Sequence, residues 1–361
     1  MKKNLLLFCI LAMSLGVKAQ SKIENIIIVT TDGLRWQDVF KGMDPEIANN
    51  KKFNQRDSAY LYEKYWSENL EERRAKLLPF LWGTIGKQGQ IFGNRDYGCK
   101  VDNANPYWFS YPGYSEIFCG FVDEKINTNS YPNNPHENVL EFINHQPQFK
   151  GKVAAFGAWN AFDRILNEPR AGFPVVAAFD KCGGSNPTAN EQLVNSMLED
   201  SYKPWGEAEC LDVFTNYAAF EQLKIKKPKV LYIAYGETDE WAHAGQYRDY
   251  LNAAHQVDAW LQKLWEYVQS QSQYKDKTAL LITVDHGRGN QKKEEWTSHG
   301  QSVADAHEIW FAIMAPGLAA KGEVQQDLQL YQKQFAQTIA SLIGLDFKAN
   351  HPVAEAIKEI H

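Results

Sequence analysis

Aspartate and histidine side chains recur in this sequence after apolar runs, at spacings that suit metal binding. They are Asp32, Asp239, His243, Asp285, His286 and His299. Clustered carboxylates repel one another and raise each other's pKa, a conflict that divalent cations relieve. Mixed aspartate–histidine sets suit zinc, manganese or iron better than calcium. Six such groups are enough for two ions about 4 Å apart, the arrangement that clamps both sides of a phosphoryl displacement.

Ser110 is the candidate nucleophile for such a site. It opens the segment Ser110-Tyr111-Pro112-Gly113, which precedes a short predicted helix ending at Gly120. Proline suits a first helical turn, so Ser110 would lie just ahead of the helix N-terminus, where backbone N–H groups and the helix dipole favour an anion. A serine bound to a metal loses its proton easily and needs no catalytic triad. The alternative is that Ser110 only caps the helix.

The metal-binding side chains need a scaffold that brings their segments together, and the apolar runs predict one. Segments typical of buried parallel strands occupy residues 26–29, 153–156, 175–179, 230–235, 279–284 and 309–314. Helical periodicity separates them, most clearly over residues 250–270 and at Phe335, Ile339 and Leu342. This alternation predicts an α/β fold with a mostly parallel central sheet and helices on both faces. In such sheets ligands bind beyond the carboxyl ends of the strands. The polar segment 44–77 fits either a surface helix or a lid.

Taken in order, these motifs resemble the alkaline phosphatase superfamily, and most of all its nucleotide pyrophosphatase/phosphodiesterase branch. The set is Asp32, Ser110-x-Pro112, Asp239-x-x-x-His243, Asp285-His286-Gly287 and His299-Gly300, within about residues 26–317. In that branch the nucleophile, usually threonine, precedes an aromatic residue and a proline. The resemblance implies an alkaline-phosphatase-like fold. It further implies one ion held by Asp239, His243 and His299, and a second held by Asp32, Asp285, His286 and Ser110.

The sequence also departs from the family pattern. The phosphodiesterase branch commonly has asparagine after the proline, where this chain has Gly113. The usual glycine before the metal-binding histidine is Ala242. The sulfatase branch needs an arginine four residues after its modified cysteine or serine, and Tyr114 stands there. Conversion of Ser110 to formylglycine is therefore not expected.

The predicted function is an exported, two-metal phosphoric-ester hydrolase, either a phosphatase or a phosphodiesterase. Ser110 would attack phosphorus in line and give a phosphoseryl intermediate, with zinc as the favoured metal and manganese or iron as alternatives. Asn160, Arg35 and Arg164 are candidate substrate contacts, although for these arginines and for Arg288 a surface charge is the favoured interpretation. The alternative functions are a sulfatase-like or phosphonate hydrolase on the same scaffold, and an exported protein with a purely structural metal site.

Composition and the N-terminus suggest where the chain works. It has 361 residues, 44% of them hydrophobic, and 38 basic against 44 acidic side chains, so no broad footprint for nucleic acid is visible. Lys2 and Lys3, an apolar run over residues 5–17 and the small residue Ala19 form the pattern of a signal peptide. We therefore predict a signal peptide at residues 1–19 and a single catalytic domain at 20–361. The product would be periplasmic or secreted, without a membrane span, and would act on a small-molecule phosphate ester.

Four cysteines remain beyond the predicted signal peptide: Cys99, Cys119, Cys182 and Cys210. None has the C-x-x-C spacing of a thiolate metal or redox site. In an exported chain, four cysteines favour two disulfides, for which three connectivities are possible. Buried free thiols are the alternative.

Overall fold

The computed structural model describes residues 23–360, and the predicted signal peptide lies outside that part of the chain. Within it the chain forms eleven strands: β1 (Asn25–Thr31), β2 (Gln90–Phe92), β3 (Cys99–Asp102), β4 (Val153–Gly157), β5 (Val175–Ala177), β6 (Val230–Tyr235), β7 (Thr278–Thr283), β8 (Glu308–Ile309), β9 (Phe311–Met314), β10 (Gly322–Glu323) and β11 (Leu328–Tyr331). The same residues form fourteen α-helices: α1 (Trp36–Lys41), α2 (Pro45–Asn49), α3 (Ser58–Tyr65), α4 (Leu70–Leu77), α5 (Gly86–Gln88), α6 (Ser110–Cys119), α7 (Val139–His145), α8 (Phe162–Ile165), α9 (Glu168–Ala171), α10 (Ala189–Glu199), α11 (Asp212–Ile225), α12 (Glu237–His243), α13 (Tyr247–Ser270) and α14 (Phe335–Leu342). A π-helical segment, Leu81–Ile85, leads into α5.

The central sheet has eight strands in the order β10-β2-β9-β7-β1-β6-β4-β5. The strands from β7 to β5 are mutually parallel, whereas β9 runs antiparallel to both of its neighbours. All residues of β1, β6 and β7 are buried, so both faces of the sheet centre are covered. The predicted α/β fold with a mostly parallel sheet is therefore confirmed. A smaller sheet joins β11, β3 and β8.

The predicted strands correspond closely to observed ones, with one error. The apolar run 230–235 is β6 in full, but the run 309–314 is not a single strand. It breaks at Trp310, whose indole N–H donates to the Leu34 carbonyl at 2.9 Å. The residues before the break pair with β3 and those after it pair with β7 and β2, because the chain passes here from the small sheet to the large one.

The predicted helices are also present. The periodic segment 250–270 belongs to α13, whose apolar positions Leu251, Val257 and Leu264 are buried, and Phe335, Ile339 and Leu342 lie on α14. The polar segment 44–77 forms three short helices, α2 to α4, of which α2 and α4 contact α13. Within residues 23–360 no helix is long and apolar enough to cross a bilayer.

The expectation of disulfides is wrong for the described chain, since all four of its cysteines are free and buried. Each sulfur has its own polar surroundings. Cys99 accepts the Gly93 N–H at 3.4 Å, and Cys119 accepts from the Asn134 amide at 3.6 Å. Cys182 lies 3.2 Å from the Asn195 side-chain oxygen, and Cys210 lies 3.5 Å from the Thr215 hydroxyl. Each thiol therefore has a polar partner of its own, and none of the four is bonded to another sulfur.

Candidate active site

Three neighbouring strands end beside one another at the centre of the sheet. Strand β1 lies between β6 and β7, and all three run in the same direction. Asp32 follows β1 directly, and Asp285 and His286 follow β7. Strand β6 leads into α12, which carries Asp239 and His243. The parallel arrangement therefore brings the predicted metal-binding residues to one edge of the sheet.

The first cluster consists of Asp32, Asp285 and His286, whose candidate ligand atoms all lie within 4.8 Å of one another. The Nε2 atom of His286 is 3.2 Å from Asp32 Oδ1 and 3.4 Å from Asp285 Oδ2. The other ring nitrogen, Nδ1, lies 2.9 Å from the Gly287 carbonyl oxygen. A proton on Nδ1 would donate to that carbonyl and leave the Nε2 lone pair facing the two carboxylates, which is the tautomer that metal binding requires.

The chemistry of this cluster fits a divalent cation. Asp32 Oδ1 and Asp285 Oδ2 are buried without a hydrogen-bond partner among the described residues. Burial raises the pKa of both carboxyls well above the ordinary value, and the charge of Asp239 raises that of Asp32 further. Unpaired buried carboxylate oxygens are costly unless a cation satisfies them.

The second cluster consists of Asp239, His243 and His299. The Nε2 atoms of the two histidines are 2.9 Å apart, and they lie 3.1 Å and 3.6 Å from the Asp239 oxygens. Burial, and then the charge of His286, lowers the pKa of His299 well below its usual range, which keeps this ring neutral and able to bind a metal. The rings of His286 and His299 stack with their centroids 3.9 Å apart, so the two clusters are adjacent.

Ser110 lies at the first turn of α6, with its hydroxyl oxygen 3.4 Å from Nε2 of His286. Phe109, not Ser110, occupies the N-cap position of the helix, so the interpretation of Ser110 as a simple cap is wrong. Trp108, two residues earlier, has a positive φ of 51°, a conformation that costs a non-glycine residue energy and clusters at functional sites. The helix ends before Gly120, as the sequence predicts.

Several neighbours that hold the clusters in place carry no sequence motif of their own. The hydroxyl of Tyr114 donates to Asp32 Oδ2 at 2.9 Å, and that of Thr238 donates to the Asp32 carbonyl at 2.5 Å. The Asn103 amide donates to the Asp285 carbonyl at 2.7 Å. Such supporting hydrogen bonds orient metal ligands. They depend on tertiary placement, so a single sequence gives no signal for them.

Arg288 lies inside the site, and its interpretation as a surface charge is wrong. It is 1% exposed, donates from Nε to the Gly33 carbonyl at 3.2 Å, and pairs through Nη2 with the Asp239 carboxylate. Burial alone would raise the pKa of Asp239, but the charge of Arg288 above all lowers it well below the ordinary value. Arg288 therefore keeps this ligand ionised.

The predicted substrate contacts lie outside the two clusters. Arg35 is fully buried and its guanidinium pairs with Asp38 at 2.7 Å, so the prediction that it contacts substrate is wrong. Arg164 donates to the Tyr131 carbonyl at 2.5 Å and stays a prediction. Asn160 is exposed, bonds only weakly to the Glu207 carbonyl at 3.4 Å, and also stays a prediction.

Asn129 is an amide next to the nucleophile segment that sequence reasoning did not single out. It is exposed, and its side-chain oxygen accepts the backbone N–H of Tyr111, the residue after the candidate nucleophile, at 2.9 Å.

Glu209 is a further carboxylate of the site that the sequence does not reveal. It is 6% exposed, and burial raises its pKa well above the ordinary value, with further contributions from the charges of Glu240 and Asp32. Burial and the charge of Asp239 raise the pKa of Glu240 in the same way. The edge of the sheet near α12 therefore carries two carboxyl groups, those of Glu209 and Glu240, in addition to the predicted metal ligands.

Part of the chain matches a known family of metalloenzymes. A family model described as the metalloenzyme superfamily matches residues 200–346, a range that contains the whole second cluster and two members of the first, Asp285 and His286. A comparison with curated proteins finds no significant match.

Solved structures share the fold over most of the chain. A protein of the alkaline phosphatase superfamily from Vibrio parahaemolyticus is 14% identical, with a TM-score of 0.50 over 91% of this chain and 68% of that one. A putative sulfatase from Bacteroides thetaiotaomicron is 13% identical, with a TM-score of 0.57 over 94% and 76%. A phosphonate monoester hydrolase from Silicibacter pomeroyi is 14% identical, with a TM-score of 0.51 over 89% and 73%.

The solved structures confirm the predicted alkaline-phosphatase-like fold, residues 200–346 match the metalloenzyme model, and the structure contains candidate groups for divalent metal binding. The assignment to the nucleotide pyrophosphatase/phosphodiesterase branch stays a prediction.

Proposed function

We propose that this protein is a two-metal hydrolase of phosphoric esters with Ser110 as its nucleophile. The observation that supports it most is the placement of the Ser110 hydroxyl at the start of α6, 3.4 Å from His286 and beside two adjacent aspartate–histidine clusters. A structural metal site is usually closed by its ligands and has no reactive hydroxyl next to it. The arrangement therefore favours a catalytic site over a purely structural metal site.

Two divalent ions, most suitably zinc, would be held by these clusters. Asp32, Asp285, His286 and Ser110 would hold one, and Asp239, His243 and His299 the other. When bound, such ions lower the pKa of an attached hydroxyl and stabilise negative charge on phosphoryl and leaving oxygens.

The chain's own residues would carry out the following steps. Ser110 loses its hydroxyl proton to solvent and attacks the phosphorus atom, so that an Oγ–P bond forms while the bond from phosphorus to the leaving oxygen breaks and that oxygen takes a proton from water. The positive end of the α6 dipole favours the anionic phosphoryl group. Asn129, whose side-chain oxygen accepts the Tyr111 N–H, is a candidate to donate its amide N–H to a phosphoryl oxygen. Water then cleaves the Oγ–P bond and frees the serine.

The residue at position 114 favours phosphate over sulfate esters, because the lack of an arginine there argues for an unmodified serine. In the sulfatase branch an arginine stands at this position and takes part in making formylglycine. Here Tyr114 is buried and its hydroxyl supports Asp32. We expect an unmodified Ser110, which intact-mass measurement can check.

Side-by-side assays test the proposal. The zinc-loaded protein should hydrolyse an aryl phosphate monoester or diester at least a hundredfold faster than the corresponding aryl sulfate or phosphonate. Ser110→Ala should abolish that turnover while keeping the metals. Preference for the sulfate or the phosphonate, or no turnover of any ester by fully loaded protein, would overturn it.

We further propose that the protein is exported, with cleavage after Ala19. N-terminal sequencing of the protein from the cell envelope or medium should begin at Gln20. An intact Met1 on cytosolic, active protein would contradict export.

A further inference from the structure

The two clusters carry different charges. In the first, Asp32 Oδ1 and Asp285 Oδ2 lie within 3.4 Å of His286 Nε2, and neither oxygen has a hydrogen-bond partner among the described residues. In the second, Asp239 is the one carboxylate among three members, and its Oδ1 atom is already bonded to Nη2 of Arg288. An ion in the first cluster would therefore meet two uncompensated negative charges, whereas an ion in the second would meet one that an arginine already neutralises.

The backbone, and not Asp239 alone, holds Arg288 at this place. Its Nε atom donates to the Gly33 carbonyl at 3.2 Å, and its Nη2 atom donates to the Asp239 carbonyl at 3.1 Å. A Cβ atom at Gly33 would lie 2.9 Å from Arg288 Nε and 2.8 Å from Asp239 Oδ1, so the lack of a side chain there lets the guanidinium approach the carboxylate. The arginine side chain is completely buried. Since a guanidinium keeps its proton in proteins, its charge is permanent, and burial leaves that charge poorly screened by water.

The clusters also differ in their access to solvent. The side chains of Asp285 and His286 are completely buried, whereas that of His243 is 45% exposed. An ion in the second cluster can therefore enter and leave past His243, a path that these two members of the first cluster do not offer.

We propose that Arg288 makes the second cluster the weaker of the two metal sites, so that the protein keeps one ion tightly in the first cluster and binds the second reversibly. This inference rests on the proposed function only in taking both clusters as metal sites. Metal affinity depends on the charge that the ligands supply, and repulsion between like charges falls with distance. Because Arg288 touches Asp239 directly, its charge opposes an ion in the second cluster most. Hydrolysis would then depend on the supply of free zinc, through occupancy of the second site.

Zinc titration tests the order of the two sites without turnover. Metal-free, full-length protein is dialysed against chelator-buffered zinc, and the bound metal per chain is measured. The two binding steps should differ by at least about tenfold in Kd, and His243→Ala should lose the weaker step and keep the tighter one.

Arginine variants test the cause of the difference. Arg288→Gln keeps hydrogen-bond donors but removes the charge, so it should tighten the weaker step by about tenfold. Arg288→Lys keeps the charge and should leave that step weak. Arg74→Gln is the matched control, since it removes a mostly buried arginine that pairs with Glu323 on β10, and it should change neither step.

The outcomes separate this inference from the proposed function. Equal affinity of the two steps in the wild-type protein, or loss of the tighter step in His243→Ala, overturns the inference. An unchanged or weaker second step in folded Arg288→Gln also overturns it, because Arg288 would then support Asp239 as a ligand and not oppose the ion. If melting curves show that Arg288→Gln is unfolded, the order of the steps in the wild-type protein and in His243→Ala decides.

Turnover of aryl phosphates is measured separately. Fast hydrolysis by a protein with two equal sites would refute this inference and leave the hydrolase intact. Two unequal sites in a protein that cleaves no phosphate ester would support the inference and refute the hydrolase.

Discussion

Gly113 packs so closely on the end of β7 that a Cβ atom there would lie 2.3 Å from the carbonyl oxygen of Asp285. Helix α6, which presents Ser110 one turn earlier, therefore rests directly on the backbone that presents Asp285 and His286. Because Gly113 has no side chain, α6 can lie against this backbone, and this contact sets the distance from Ser110 to the first cluster. It also gives a physical reason why this chain lacks the asparagine that the phosphodiesterase branch commonly has here, since a side chain would meet the Asp285 backbone.

Replacing Gly113 with alanine should displace α6, because Cβ contacts under 3.0 Å are essentially never found. A shift of about 1 Å in the nucleophile typically costs about a hundredfold in rate. We expect a loss of kcat of this size in Gly113→Ala, with a lower melting temperature and both metals retained. Gly83→Ala is the matched control, since a Cβ there contacts nothing within 4 Å. Wild-type kcat in Gly113→Ala would contradict the packing argument.

The four cysteines of the described chain should behave as inaccessible thiols. Burial raises the pKa of Cys119 and Cys210 to about 12 and that of Cys182 to about 11, and it also raises the pKa of Cys99. Since the thiolate is the reactive form, alkylation of the native protein should be slow at all four. After unfolding without reductant, peptide mapping should find all four alkylated. Disulfide-linked peptides from protein made in an oxidising compartment would disprove this.

Some parts of the fold and site could be predicted from sequence because they depend on local pattern. Strand β6 and helix α6 follow from apolar runs, proline and glycine, and the aspartates after β1 and β7 follow from where parallel strands end. The break at Trp310 and the burial of Arg288 depend instead on contacts with Leu34 and Asp239, which are distant in sequence. Glu209 reaches the site through pairing with Trp159, so no local motif marks it.

Asp258 should make stability depend on pH. Burial raises its pKa from 3.8 to about 7, although the backbone N–H groups of Phe80 and Leu81 donate to its carboxylate. Between about pH 4 and pH 7 the unfolded chain has lost this proton while the folded chain keeps it. The free energy of unfolding therefore falls as pH rises through this window, by at most about 1.4 kcal/mol per pH unit.

Asp258→Asn removes this titration, so the denaturation midpoint of the variant should vary less with pH than that of the wild-type protein over the same window. Asp346→Asn, at an exposed position, serves as the control. Parallel pH profiles of wild type and Asp258→Asn would refute the assignment to Asp258.

Metal analysis should find about two divalent ions per chain, most suitably zinc. Asp239→Ala should lose chiefly one ion and Asp32→Ala chiefly the other, because these residues belong to different clusters. A variant that combines Asp32→Ala with Asp239→Ala decides whether the two ions are distinct. It should contain almost no metal, whereas one remaining ion per chain would mean that both residues hold the same ion. Chelation should lower the melting temperature, since ions that bind only the folded state stabilise it. Asp96→Ala, at an exposed ion pair with Lys41, should keep both ions.

Ser110, and not Ser115, should carry the covalent intermediate. The Ser110 hydroxyl lies beside His286, whereas that of Ser115 points one turn further along α6. A mid-helix hydroxyl usually bonds back to a carbonyl one turn earlier, but Ser115 instead accepts from the Asn134 amide at 2.9 Å and donates towards Cys119. Both contacts are structural, and neither involves a member of the two clusters.

Ser110→Ala should therefore lower kcat by several orders of magnitude while the carboxylates and imidazoles keep the metals bound, a loss typical of removing a nucleophile. Ser115→Ala should cost about 1 kcal/mol of stability, because the Asn134 amide loses its hydrogen bond to the Ser115 hydroxyl, and should leave kcat nearly unchanged. Phosphate trapped at low pH and mapped by mass spectrometry should lie on Ser110 in the wild-type protein and in Ser115→Ala, and be absent from Ser110→Ala. A label on Ser115, or near-normal turnover by Ser110→Ala, would refute the assignment, because a water molecule or another side chain would then have to be the nucleophile.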